Sequence, residues 1–429
     1  AYAYAEGYKR FLDAAKTERE AVEYVTEAAR DAGFVEFDAD TVYKPGDKVY
    51  LVNRKKALIL AVIGTEPLDK GVNIAAAHID SPRLDLKPNP VYEDGGLALF
   101  KTHYYGGVKK YQWTAIPLAL HGVLIRKDGE LLRFNLGENP EDPLFTITDL
   151  LPHLAKEQMA MTLRDGVKGE ALNALIGSRS YADEKATEKV KLYILNLLHE
   201  TYGIDEADFQ SAELCLVPAF SARDIGFDRS LIGAYGHDDR VCAYPCLTAL
   251  LSLDVPKRTC ITVLADKEEI GSTGNTGLQA AYLRHFIEDM CSAGGASSRR
   301  CLRASRCLSA DVNAAFDPTY PDVVEKRNAA MINRGAVITK YTGHGGKGDT
   351  NDASAEFFAF VRAMLDEDGV LWQTGELGKV DLGGGGTVAK YIAHLDMDVT
   401  DLGVPVLSMH SPFEAVSKLD VYMAHKAVA

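Results

Sequence analysis

Six apolar runs of strand length recur along this chain, and helical patterns separate most of them: "ALILAVIG" (57–64), "VNIAAAHID" (72–80), "CITVLAD" (260–266), "RCLSADV" (306–312), "GAVITKY" (335–341) and "VPVLSMH" (404–410). A strand that is apolar along its whole length has both faces buried. Such strands alternating with helices predict an α/β layer, a mixed and largely parallel sheet flanked by helices. The middle of the chain reads differently. "LALHGVLIRKDGELLRFNL" (118–136) has two alternating runs around Asp128-Gly129, which predicts a hairpin. "DEKATEKVKLYILNLLHETYGI" (183–204) predicts an amphipathic helix with Val190, Leu192, Tyr193, Ile194, Leu197 and Leu198 on its apolar face, and "AELCLVPAF" (212–220) a further strand. We therefore expect a discontinuous catalytic domain, 1–92 and 236–429, interrupted by a β-rich inserted domain, 93–235. The first twenty residues read as one charged amphipathic helix, and "CSAGGASSRRCLRASRC" (291–307) as a loop between a helix and a strand.

The acids and histidines fall where the apolar runs end. His78 and Asp80 close one run, Glu268 and Glu269 follow another, Asp311 follows a third and His410 ends a fourth. His237, Asp238 and Asp239 stand before a helix expected to begin near Val241. The carboxyl ends of strands are where sites gather in open α/β sheets. Alone, His78 reads as a satisfied core histidine, Asp311 as a helix cap and the two glutamates as a solvated edge. Together they form a donor set of two histidines and several carboxylates, which suits zinc, cobalt or manganese. A two-ion site needs one bridging carboxylate, for which Asp238 is placed, and a histidine ligand needs an orienting partner, for which Asp80 is placed. Neighbouring residues in extended chain point to opposite sides, so Glu268 and Glu269 should divide their roles, one a ligand and the other a general base.

The totals exclude several classes. A net charge of −14 and the lack of a basic stripe argue against nucleic acid or an anionic membrane as partner. The longest apolar runs are too short to span a bilayer, and the N-terminal stretch has no apolar signal core. Seven cysteines without a CxxC pair do not make a disulfide framework, and Cys242 and Cys246 read as core packing. The expected compartment is the cytoplasm. "DLGGGG" (381–386) lacks the GK[ST] of a phosphate loop and reads as a tight active-site loop.

In this order, "HIDSPR", "GHDDR", "DKEEIGS", "SADVNAAFDP" and "MHSPFE" resemble the aminopeptidase I (M18) family of dinuclear zinc aminopeptidases, which includes the aspartyl aminopeptidases. The likeness runs over most of the chain. It implies a zinc-exopeptidase-like catalytic domain with an inserted dimerisation domain. It also implies two divalent ions per subunit, held by His78, Asp238 as the bridge, Glu269, Asp311 and His410. Glu268 then acts as general base and Asp80 orients His78. In "LLPHLAKE" (150–157), the resemblance makes His153 a residue that reaches a neighbouring subunit's site, within a dodecamer built from dimers. Lys340 falls where relatives keep a substrate-binding lysine. Its surroundings, "YTGHGGKGDTND", depart from the family's pattern, which leaves the preferred N-terminal side chain open.

The expected activity is therefore metal-dependent removal of N-terminal residues from peptides with a free amine. A carboxypeptidase or deacylase built on the same two ions is the rival within enzymes, and a non-enzymatic assembly protein with a relic metal site is the rival outside them.

Overall fold

The computed structural model describes residues 1–182 and 184–429; residue 183, the first of the helical stretch quoted above, lies outside the described residues. Two compact units are present. One comprises 1–81, 222–409 and 414–429, and the other 82–221 and 410–413. The division falls after Ser81 rather than near 92 because the strand Arg83–Asp94 runs unbroken through that position. It pairs antiparallel with Leu97–Tyr105 in the second unit's seven-stranded sheet.

The first unit is built on a nine-stranded sheet. At its centre Cys260–Ala265, Asn73–His78, Arg306–Ser309 and Asp398–Gly403 lie parallel, in that order, while Ala57–Val62 and Ala336–Thr339 flank them antiparallel. The side-chain period of two splits each central strand between two cores. Ala75 and Ala77 pack with Cys242 and Leu247 on one face, while Ile74 and Ala76 pack with Phe286 and Ile392 on the other. Cys242 and Cys246 are buried in the helix His237–Leu251, as core residues should be.

Two stretches differ from expectation. The N-terminal pattern is two helices, Tyr2–Ala14 and Glu18–Asp31. Thr17 and Glu20 form a capping box that starts the second, so the chain turns at a polar junction inside one apolar periodicity. The expected loop 291–307 holds a helix, Ser298–Ala304, which buries Cys301.

In the second unit the predicted hairpin forms between Leu118–Ile125 and Leu131–Leu136. Gly129 supplies the positive φ of 87° that its turn requires. The amphipathic stretch is helical over Lys189–Tyr202. Among the described residues no helix is long and apolar enough to cross a membrane.

Candidate metal centre

The parallel register sets the site. Ala265 pairs with His78 and Ser309 with Ala76, so the three central strands finish almost level, and the segments leaving them converge. His78 Nε2 lies 3.1 Å from Asp238 Oδ1 and 3.9 Å from Asp311 Oδ1. One donor atom from each of His78, Asp238 and Asp311 falls within 4.8 Å of the others. Glu268 Oε2 lies 3.9 Å from His78 Nε2.

The tautomer of His78 is fixed by its neighbours. Its Nδ1 sits 3.1 Å from the Asp80 carbonyl oxygen and 3.3 Å from Asp80 Oδ1, so Nδ1–H donates and Nε2 is left to present a lone pair. His410, on the short segment that groups with the second unit, follows the same rule. Its Nδ1 donates to the Gly107 carbonyl at 2.9 Å.

Asp238 is placed by its backbone. Two residues before it, Gly236 takes φ 74°, and a Cβ there would collide with the Arg240 guanidinium. Asp238 and Asp239 are themselves non-helical, and the peptide between them is cis. The helix proper therefore starts near the expected Val241. Three groups hold the Asp238 segment. Glu414 Oε2 accepts the Asp238 N–H at 3.2 Å, Ser81 Oγ donates to the Asp238 carbonyl at 2.6 Å, and Arg240 Nη1 donates to Ser81 Oγ at 3.0 Å. Asp239 faces the other way, accepting the His78 N–H at 3.2 Å. His237 turns into the core. Its Nε2–H donates to the Ile232 carbonyl at 3.1 Å and its Nδ1 accepts the Tyr8 hydroxyl at 2.7 Å, while burial pushes its pKa down to about 3.

Glu268 and Glu269 are not on extended chain. They occupy a 3-10 turn, Glu268–Ile270, entered through Lys267 at φ 67°, so strand alternation does not separate them. Asp80 holds this turn, its Oδ1 accepting the Glu268 N–H at 3.1 Å and its Oδ2 the Glu269 N–H at 3.2 Å. Below it, Lys267 Nζ and Thr276 Oγ1 both donate to Asp266.

The electrostatics suit a cation. Burial pushes the Asp239 and Asp311 carboxyls well above the usual carboxylate range, and neighbouring carboxylates add to this. Burial opposes charge on His78, but Asp238 and Asp80 outweigh it and hold its pKa well above the usual imidazole range. Without an ion Nε2 therefore also carries a proton, and a divalent ion would take that proton's place and use the lone pair. An imidazole lone pair and two carboxylates converging in a buried, strongly negative setting fit a divalent ion of the zinc, cobalt or manganese type.

The remaining expected residues lie elsewhere. His153 is exposed in the turn before the helix Lys156–Met159 of the second unit. Lys340 follows the strand Ala336–Thr339, which runs antiparallel to its neighbour and so leads away from the edge carrying His78. Its Nζ donates to Asp352 Oδ1 at 2.9 Å and to the Ala353 carbonyl at 2.7 Å. "DLGGGG" packs on the loop after Lys340, where the Gly343 N–H donates to the Gly385 carbonyl. Ser81, Arg240, Glu414 and Tyr8 were not singled out in the sequence. Ser81, Arg240 and Glu414 sit inside the quoted "HIDSPR", "GHDDR" and "MHSPFE", a usable signal, whereas Tyr8 carries none.

Comparison with known proteins places this architecture. The family model for the aminopeptidase I zinc metalloproteases (M18) matches residues 11–429. A probable M18 family aminopeptidase 1 from Clostridium acetobutylicum is 49% identical over 429 residues, spanning 98% of this chain and 92% of the relative. The corresponding protein of Thermotoga maritima is 47% identical over 430 residues, spanning 99% and 94%. A crystal structure of an M18 family aminopeptidase from Thermotoga maritima superposes with a TM-score of 0.96 at 47% identity, covering all of this chain and 95% of that one. This chain belongs to the aminopeptidase I (M18) family of zinc metalloproteases and is an aminopeptidase, a hydrolase that releases N-terminal residues from peptides.

Proposed function

We propose that His78, Asp238 and Asp311 hold one divalent ion and that Asp238, Glu269 and His410 hold a second, with Asp238 shared between them. The observation that carries this reading is the convergence of His78 Nε2, Asp238 and Asp311 at the strand ends, with the His78 tautomer fixed by Asp80. The matching tautomer of His410 and its place in the family's motif order support the second set. Bound ions of this kind supply Lewis acidity toward the scissile carbonyl and toward water. Glu268 takes the proton of the attacking water on its carboxylate and returns it to the leaving amine nitrogen, a step worth about 10²–10⁴-fold. Zinc is the expected metal. Glu268→Gln tests the assignment, since it should retain the metal content of the parent while kcat falls by about two to four decades. Unchanged turnover removes Glu268 from the role of base.

The second unit is read as the assembly module. His153 stands in a run of exposed apolar side chains: Leu150, Leu151, Leu154, Met159, Met161 and Leu163 are all at least 48% exposed. A patch of this kind marks a protein interface. The partner is a second copy of the chain, and His153 of that copy donates a hydrogen bond to the carbonyl oxygen as it gains charge. A yeast member of the same fold has been solved as a dodecamer, and we propose the same assembly from dimers here. The cytoplasm is the proposed compartment, on the cysteine usage. Lys340, with its ammonium engaged by Asp352, reads an acidic side chain weakly, which favours uncharged N-terminal residues. A panel of leucyl, alanyl, aspartyl and glutamyl substrates decides this point, and preference for the acidic pair overturns it.

A further inference from the structure

At the sheet edge opposite the metal centre the first unit contains a cavity of about 330 Å³. Asn73, Cys260 and Arg306, the first residues of three central strands, sit level with one another on its wall. His78 lies five residues further along, about 16 Å at the rise of a strand. The cavity opens between the helix His237–Leu251, which contributes Ala249 and Leu250, and the helix Ala355–Glu367, which contributes Phe357, Val361 and Met364. Its volume is in the range of small-molecule sites, and an apolar wall with a few placed charges is how such sites are built.

The charges are lopsided. Three basic side chains, Arg258, Arg306 and Lys426, line the cavity against one acidic side chain, Asp368. Arg258 is already engaged, with its Nε 3.5 Å from Glu66 and its Nη1 donating to the Ala304 carbonyl at 3.3 Å. Arg306 is not. Its guanidinium lies 4.1 Å over the Phe360 ring, and among the described residues it has no ion-pair partner. Burial and the nearby Arg258 push its pKa down and outweigh Asp398, which acts the other way without reaching ion-pair distance. A planar guanidinium held against a ring presents a fork that fits a carboxylate.

We propose that this cavity binds a medium-chain aliphatic carboxylate, with its head on Arg306 and Arg258 and its tail between the sheet and the helix Ala355–Glu367. The site is independent of the peptidase reaction. The head supplies Arg306 with an ion-pair partner and the tail fills a volume that water would occupy at a cost.

The test is calorimetric titration of the full chain with sodium decanoate, alongside decanol and decyltrimethylammonium, which share the tail but differ in charge. Saturable binding of one decanoate per chain is expected, at least about tenfold tighter than either control. Arg306→Gln should weaken it by about tenfold, and Ala249→Leu, which fills the cavity, should abolish it. Both variants should hydrolyse peptides as the parent does. No saturable decanoate binding, equal binding of decanol, or undiminished binding by both variants overturns the proposal. The comparison of the three ligands on the parent chain holds even where a variant folds poorly.

Discussion

The Asp80 carboxylate accepts the backbone N–H of Glu268 at 3.1 Å, joining the strand that ends in His78 to the turn that carries the glutamate pair. The same carboxylate accepts the Glu269 N–H and faces His78 Nδ1, so one side chain sets the tautomer of the proposed ligand and the position of the proposed base together. Asp80→Asn keeps the shape but offers one acceptor oxygen where two are used. We expect about 10–100-fold lower metal affinity or activity, appearing in kcat and zinc content more than in KM. Steady-state kinetics with metal analysis of the purified variant measures both.

Tyr8 comes from the first helix and reaches 229 residues along the chain to His237 Nδ1, directly beside Asp238. Tyr8→Phe leaves that buried nitrogen without its donor and should cost about 1–3 kcal/mol of stability. Because His237 precedes the proposed bridging carboxylate, the variant should also surrender zinc faster to a chelator. A thermal melt and a chelator time course read these separately, and an unchanged release rate means that the contact serves stability alone.

Much of the site could be read from the sequence because its residues end apolar runs. His78, Glu268, Glu269 and Asp311 announce themselves as charge at the close of a strand that must be buried, and the six runs give the central strands by the same logic. What escaped was set by distant partners or by local backbone. The 3-10 turn at Glu268 depends on Asp80, nearly 190 residues earlier, and on a positive φ at Lys267 that no periodicity reveals. The helix Ser298–Ala304 is too short and too polar to show a stripe, since Cys301 is its one buried side chain. The break at Thr17 was visible as T-x-x-E, but the helical periodicity runs on through it.

Asp420 makes stability depend on pH without belonging to the proposed metal ligands. Burial raises its pKa from 3.8 to about 6, although the backbone N–H groups of Gly335 and Asn333 donate to it and pull the other way. Between those two values the folded chain holds a proton that the unfolded chain releases. Its contribution to stability is therefore greatest below about pH 4, declines as the pH rises to about 6, and is level above that. Asp420→Asn cannot titrate, so the difference in urea midpoint between parent and variant should change across this window and be constant above it. The variant should also be less stable throughout, because one carboxylate oxygen that accepts an N–H becomes an amide donor.

Leu154, at 70% exposure, and Leu163, at 73%, flank the turn of His153 and are the side chains that an assembly would cover first. Replacing both with aspartate places charge in the proposed interface, where burial is costly unless it is paired. Light scattering should show a smaller particle with an unaltered fold by circular dichroism. If His153 serves a neighbouring copy, kcat should fall along with the particle mass, while zinc bound per chain stays constant. His153→Ala separates the two effects, because it removes only the hydrogen-bond donor. It should keep the parent's mass and lose about 10²–10³-fold in kcat, the cost of deleting one donor to a developing oxyanion. Mass retained together with full activity would leave the apolar run as an interface and remove His153 from the reaction.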